Sequence, residues 1–165
     1  MQVRFSNIKR LITSACLLLP FTSFSNNACP RLDNDTKIAS WAYEVMLQTY
    51  NLNFVNPTQG KAQAYFTKSA WLNYKKEFNL NDNLKEIVNK KLVSSVGLKD
   101  TPLFLRKSSN SWTVSLPLII NYRSALAHQI KNINVELTIV KDKKADDCLK
   151  VAAIHKTPIS KKQPR

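Results

Sequence analysis

A chain of 165 residues with 25 Lys and Arg against 11 Asp and Glu carries a formal charge of +14 at pH 7, which favours anionic surfaces, nucleic acid or an acidic partner over other basic proteins. Its length allows one domain with a proper core and leaves a second one cramped. Its two glycines, Gly60 and Gly97, exclude a glycine-rich phosphate loop.

In chain order, the first element is a basic stretch holding Arg4, Lys9 and Arg10 and no acid, then an apolar run from Leu11 to Phe21, then small residues. This is the three-part form of a secretory signal peptide, and Ser23 and Ser25 at the small-residue positions place cleavage after Ser25. The run contains Pro20 and is too short for a spanning helix, which needs about 20 apolar residues. Uncut, it would leave the protein membrane-anchored. Neither Cys16, inside the run, nor Cys29, after Asn-Asn-Ala, has the setting of a lipidated cysteine. Removing residues 1–25 takes away three basic groups and no acids, so the charge falls to +11. It also leaves Cys29 and Cys148, an even pair in an oxidising compartment. They are expected to form one disulfide tying the segment before the first helix to the last strand, worth about 4 kcal/mol in the chain-entropy model.

The domain is expected over 26–157. After the loop Asn-Asn-Ala-Cys-Pro-Arg-Leu, the residues Asp33, Asn34 and Asp35 offer a helix N-cap. Behind them Ile38, Trp41, Ala42, Val45, Met46 and Thr49 recur at three- and four-residue spacing, with Lys37, Glu44 and Gln48 opposite, which predicts an amphipathic helix of about four turns. Pro57 and Gly60 break it, and a short helix is expected over 58–65. Thr67 can cap the next helix, on which Trp71, Tyr74 and Phe78 form one stripe. Lys76 and Glu77 are expected to point away, while Lys68 and Lys75 flank the rings with their stems along them. A further helix is expected over 83–91, with Leu84, Ile87, Val88 and Leu92 as its apolar side.

After Leu92 the period changes from 3.6 to 2. Residues 93–98 and 102–107 read as short strands, and the Ser-Ser-Asn-Ser stretch 108–111 as a hairpin turn. Trp112, Val114, Leu116, Leu118, Ile120 and Tyr122 then alternate with polar residues, and Ile133, Val135, Leu137 and Ile139 repeat the pattern. Pro117 cannot donate to a ladder, so it is expected at a bulge or an unpaired edge. A last strand follows Cys148, and 158–165 reads as a disordered basic tail. Helices first and an antiparallel sheet afterwards make an α+β fold.

Candidate chemistry is sparse. G-x-S-x-G, H-E-x-x-H and C-x-x-C are missing from the sequence. His128 and His155 lack an evident carboxylate to orient them, which a working base needs. Asp146, Asp147, Cys148 and His155 do not show four metal ligands at standard spacing, and Glu136 falls on the wet face of its strand. No catalytic residue, metal or cofactor is expected. An aromatic stripe beside lysines is what a nucleic-acid platform uses, yet at helical spacing Trp71, Tyr74 and Phe78 are better explained as core. Nucleic acid is therefore disfavoured as a partner, and anionic lipid stays open through the charge.

One family does resemble this chain. The segments 40–56, 64–74, 89–97 and 111–122 look like the periplasmic domain of DotI/IcmL proteins of type IVB secretion systems, relatives of the conjugative protein TraM. The landmarks are Trp41, Ala42, Tyr50, Phe54 and Asn56, then Phe66, Thr67 and Trp71, then Lys90, Lys91 and Leu92, and last Trp112, Val114, Pro117, Leu118 and Tyr122. The resemblance implies a fold like the periplasmic domain of the VirB-type eighth component, itself similar to nuclear transport factor 2: helices packed in the concavity of a curved antiparallel sheet. It implies a periplasmic, non-enzymatic assembly role through secretion-system envelope proteins or self-association. Family members carry a transmembrane helix ahead of this domain, where this chain has a signal peptide. The expected core is Trp41, Phe54, Phe66, Trp71, Tyr74, Phe78, Trp112, Leu118 and Tyr122, and the candidate interaction surface is Lys68, Lys75, Lys76, Lys90 and Lys91. A small-ligand-binding cone and a binder of anionic lipid or nucleic acid are the competing functions, the first requiring a deep pocket with convergent polar groups.

Overall fold

A computed structural model of the protein describes residues 34–159. The expected signal peptide 1–25, the Cys29 end of the expected disulfide and most of the expected tail lie outside them. Four helices come first: α1 Asp35–Tyr50, α2 Gly60–Gln63, α3 Lys68–Glu77 and α4 Leu80–Asn89. Five strands follow: β1 Val93–Leu98, β2 Leu103–Lys107, β3 Ser111–Arg123, β4 His128–Lys141 and β5 Leu149–Pro158.

The helix starts are set by local hydrogen bonds. The Asn34 side chain accepts from Thr36 N–H at 2.8 Å, so of the three candidate caps it is the middle one that works. Thr67 caps α3 as its position predicts, accepting from Ala70 N–H at 3.2 Å. α4 begins one turn earlier than the polar residues suggest. Leu80 is buried and opens the helix, Asn79 before it is left-handed with φ 46°, and Asn83 donates back to the Phe78 carbonyl. Asn83, the expected first residue, is therefore already in the first turn, tying the helix to the loop behind it. α2 is also shorter than expected, a single turn.

All strand pairs are antiparallel. β3 and β4 form the long central hairpin, β5 flanks β4, and the other side of β3 is shared: β1 pairs with Leu118 to Arg123 and β2 with Trp112 to Ser115. Pro117 sits at the seam between those two partners. Its carbonyl accepts from Lys99 N–H at 2.8 Å, where the chain is leaving β1 for β2, so the nitrogen on the same side faces a gap in the ladder and no donor is missed. It occupies neither a bulge nor an outer edge. Bulges do occur elsewhere, between Phe104 and Arg106 in β2 and opposite Thr138 and Ile139 in β5. They bend and twist the sheet, and the second moves the inward parity of β5 from Leu149 and Val151 to Ile154.

The helices lie across one face. Ile38, Ala42, Val45 and Met46 of α1 and Ala70, Trp71 and Tyr74 of α3 meet Val114, Leu116, Leu118 and Ile120 of β3 and Val135, Leu137 and Ile139 of β4 in a single core. Each large side chain so buried is worth about 1.5–3 kcal/mol against an exposed position. β5 runs through Lys156 and Thr157 to Pro158, which pairs with Ile133. The strand thus runs one residue into the expected tail, because backbone pairing carries it on through a polar stretch.

Candidate functional site

The concave side of the sheet is filled by rings. Phe66 and Trp71 have centroids 5.4 Å apart, Trp71 and Tyr74 stack at 5.2 Å, and Tyr74 meets Phe78 at 4.7 Å. Tyr50 extends the row to Phe78 at 6.3 Å. Phe66, Trp71, Tyr74, Phe78, Trp112 and Leu118 are all buried. Trp41, Phe54 and Tyr122 are only half-buried, which corrects their place in the expected core. Trp41 lies against Tyr65 and donates from Nε1 to Asp147 at 3.2 Å, a polar tip reaching out from an apolar body. Burial pushes the phenols of Tyr50, Tyr74 and Tyr122 above their ordinary range, with the hydrogen bond from Gln59 partly opposing this at Tyr74.

One chamber remains beside the rings, of about 30 Å³, on the floor of a cleft between α4 and the far end of the β3–β4 hairpin. Its inner wall carries Tyr50, Gln59 and Tyr74, and its mouth Glu86, Gln129 and Lys131. Gln59 is a buried polar residue from a loop. Its amide nitrogen donates to the Thr49 carbonyl at 2.5 Å and to the Tyr74 hydroxyl at 3.0 Å. Sequence reasoning missed it, because Gln next to Pro57 and Gly60 reads as ordinary loop polarity.

The remaining titratable groups stay on the surface. His155, expected to lack an orienting acid, has Nδ1 3.6 Å from Glu77 Oε2, but its side chain is 71 % exposed, so this is an open contact rather than a held general base. The other Glu77 oxygen accepts from Lys156 N–H at 3.0 Å. Glu77 thus reaches to β5, where the helical wheel has it pointing away from the fold. His128 is exposed at the start of β4. Among the described residues no group of three or more His, Cys, Asp or Glu gathers into a metal-binding cluster, and no helix among them is long and apolar enough to cross a membrane. Cys148 is buried in a left-handed conformation at φ 58°, just ahead of β5.

The lysines divide into two populations. Lys107, Lys131, Lys141 and Lys156 stand over the rings of Phe104, Tyr122, Trp112 and Phe78 at 4.8, 4.9, 5.7 and 4.6 Å. Those cations cover aromatic edges of the fold. Lys68, Lys75 and Lys76 are exposed on α3, the first two beside an open recess floored by Phe66, Trp71 and Leu72. Lys90 and Lys91 end α4, where Lys90 is paired with Glu86 at 2.7 Å and so holds that carboxyl below its usual range. The convex face of the sheet differs from both. Its central positions, Thr113, Ser115, Pro117 and Ile119 on β3 and Asn134, Glu136 and Thr138 on β4, include no lysine or arginine and are mostly half-buried. Ser115 and Asn134 are linked across the strands at 2.9 Å.

The amino-acid sequence over residues 24–156 matches a known family, the DotI/IcmL inner-membrane complex components of type IVb secretion systems. The chain belongs to this family. Its fold is that of three solved structures. An IcmL-like type IV secretion system protein from Legionella pneumophila subsp. pneumophila str. Philadelphia 1 aligns with a TM-score of 0.72 at 20% identity, over 80% of this chain and 98% of the other. The periplasmic domain of DotI gives 0.70 at 22% identity, over 78% and 99%. A periplasmic fragment of TraM gives 0.60 at 14% identity, over 77% and 99%. Among curated proteins, none matches the sequence. The DotI/IcmL assignment makes this chain one of a family of secretion-system components, with the helices-then-sheet architecture read from its periodicity.

Proposed function

We propose that this DotI/IcmL chain is an exported periplasmic protein that works in, or derives from, a type IVB secretion apparatus through protein–protein contacts, and that it is not an enzyme. The observation that carries the reading is the aromatic row from Phe66 to Phe78. It occupies the concavity where a cone-shaped fold would seat a ligand or a catalytic acid. The chamber beside the rings, about 30 Å³, is far below the ~300–1,000 Å³ of a small-molecule site, and the larger recesses, such as the one floored by Phe66, Trp71 and Leu72, are open grooves rather than enclosed pockets, so the surface is left to carry recognition. The four lysines spent over rings likewise argue against reading the whole charge as an anionic-surface footprint.

Affinity capture from envelope extracts tests this directly. Recovery of other inner-membrane complex proteins of the apparatus is the expected result, and their absence from the captured set overturns it. Mass spectrometry of the exported protein tests the processing: a chain beginning at Asn26 is expected, and one retaining residues 1–25 would make it a membrane-anchored subunit.

A further inference from the structure

The turn between β3 and β4 runs Ser124-Ala125-Leu126-Ala127, apolar where a hairpin turn is ordinarily built of Gly, Asn or Asp. Leu126 at its tip is 99% exposed, and Ala125 and Ala127 beside it are exposed as well. A lone exposed leucine means little, but three further observations attach to this one. The turn answers its own polar groups: Ser124 N–H donates to the Ala127 carbonyl at 2.8 Å, and Ser124 Oγ accepts from Leu126 N–H at 3.3 Å and from Ala127 N–H at 3.1 Å. Those N–H groups keep a partner on leaving water, as an apolar environment demands.

Apolar side chains also continue behind the tip. On the convex face the register sets Val93 beside Arg123 and Arg123 beside His128, and one row further in it sets Asn121 beside Ile130. Val93 and Ile130 are exposed, so with Leu126 they fringe one end of the sheet, with Arg123 among them. Lys91, two residues ahead of Val93, is exposed too. Third, this end holds almost no free negative charge. Between Glu86 and Glu136 the only acid in the sequence is Asp100, which lies past the opposite end of β1. On α4, Asp82 and Glu86 are answered by Lys85 and Lys90 at 3.8 and 2.7 Å.

An apolar tip ringed by cations fits an anionic surface that can be entered. A second copy fits badly, because a two-fold contact sets Arg123 and Lys91 against their own counterparts. A stable protein partner takes a complementary face of about 800 Å², and a protruding four-residue turn is not one. A bilayer, by contrast, takes in a large apolar side chain at its headgroup–acyl boundary and holds neighbouring cations at its phosphates.

We propose that the β3–β4 turn is a bilayer-docking tip, in which Leu126 enters the boundary of an anionic leaflet while Arg123 and Lys91 meet the lipid phosphates. It is a surface separate from the protein contacts proposed above, and it stands whether or not the chain serves a secretion apparatus.

The test is co-sedimentation of the purified protein with vesicles of phosphatidylglycerol and phosphatidylethanolamine, against vesicles of phosphatidylcholine alone. Binding to the anionic vesicles only is expected, and it should weaken as salt is raised. Leu126→Asp should weaken it about tenfold or more and Arg123→Gln about fivefold. Both variants should keep the urea midpoint of the parent, since neither side chain is packed. Absence of binding to anionic vesicles overturns the proposal, as does equal binding to both kinds that Leu126→Asp leaves untouched. A Leu126→Asp protein that binds vesicles normally but no longer captures secretion-system proteins overturns it too, because the tip then meets protein. The vesicles hold no protein, so failure here and failure of the capture experiment are separate results.

Discussion

The two faces of the one sheet are built on opposite rules. The concave face is committed: Val114, Leu116, Leu118, Val135, Leu137 and Ile139 are fully buried under α1 and α3, and the aromatic row completes the layer. The convex face, carried by the same strands one residue out of phase, offers Thr113, Pro117, Ile119, Asn134 and Thr138 with a single carboxylate, Glu136, between Ser115 and His155. In a chain with 25 basic residues, a central face without lysine is a surface that does not repel an approaching protein by charge. The difference teaches that the interior cannot be altered without unfolding the domain, whereas the exterior can be altered freely, so loss of partner binding should map outside the rings.

The strongest way to break that comparison is Trp71→Ala. It removes the ring between Phe66 and Tyr74 and should cost about 3–5 kcal/mol, read by urea unfolding. A variant that stayed stable yet lost partner capture would show that the ring row recognises rather than packs. Next in size is the proposed Cys29–Cys148 disulfide, worth about 4 kcal/mol. Thiol titration of the purified protein should find no reactive pair, and Cys148→Ser should lower the melting temperature; two titratable thiols would sink the pairing.

The buried phenols sharpen the comparison through pH. Tyr50, Tyr74 and Tyr122 have folded-state values raised above the ordinary 10.0. Their contribution is fully present below that value and is lost as pH rises through the higher folded ones, because the unfolded chain releases its protons first. Stability should therefore fall above about pH 10, with tyrosinate absorbance appearing only on unfolding. Tyrosinate forming in the folded protein at the ordinary value would mean that the row is open to solvent.

Smaller still, Thr67→Ala should cost about 1 kcal/mol by losing the α3 cap, without touching partner capture. Last, reversing Lys68, Lys75 and Lys76 to Glu, or placing Lys at Thr138, should each change stability by less than about 0.5 kcal/mol. Of the two, the one that abolishes capture identifies the docking face. If neither does, recognition lies on some third surface.

Much of this architecture was legible in the residues. Trp71, Tyr74 and Phe78 at steps of three and four, the Thr67 cap, and the alternation from Trp112 to Ile120 and from Ile133 to Ile139 each report a local rule that tertiary contacts then reinforce. What was not legible depends on groups far apart in the chain. Glu77 finds His155 and Lys156 only because α3 lies on β5. Pro117 is tolerated in a central strand only because β1 hands over to β2 beside it. Trp41, Phe54 and Tyr122 look like core by type, but each lies at the margin of a layer, and periodicity says nothing of where a layer ends. Gln59 carried no signal at all, since its burial follows from how α1 and α3 converge on one loop.

The contacts along β5 have a further consequence. Val151 gives its N–H to the Tyr65 carbonyl and its own carbonyl to Thr67 N–H, and Lys156 N–H is taken by Glu77. An outer strand with its main-chain groups answered at two points, and twisted by a bulge between them, is a poor template for adding another strand. The sheet should therefore not grow from molecule to molecule along β5 even at high concentration. If copies or partners gather there, side chains must bring them together, and such contacts can be selective and reversible.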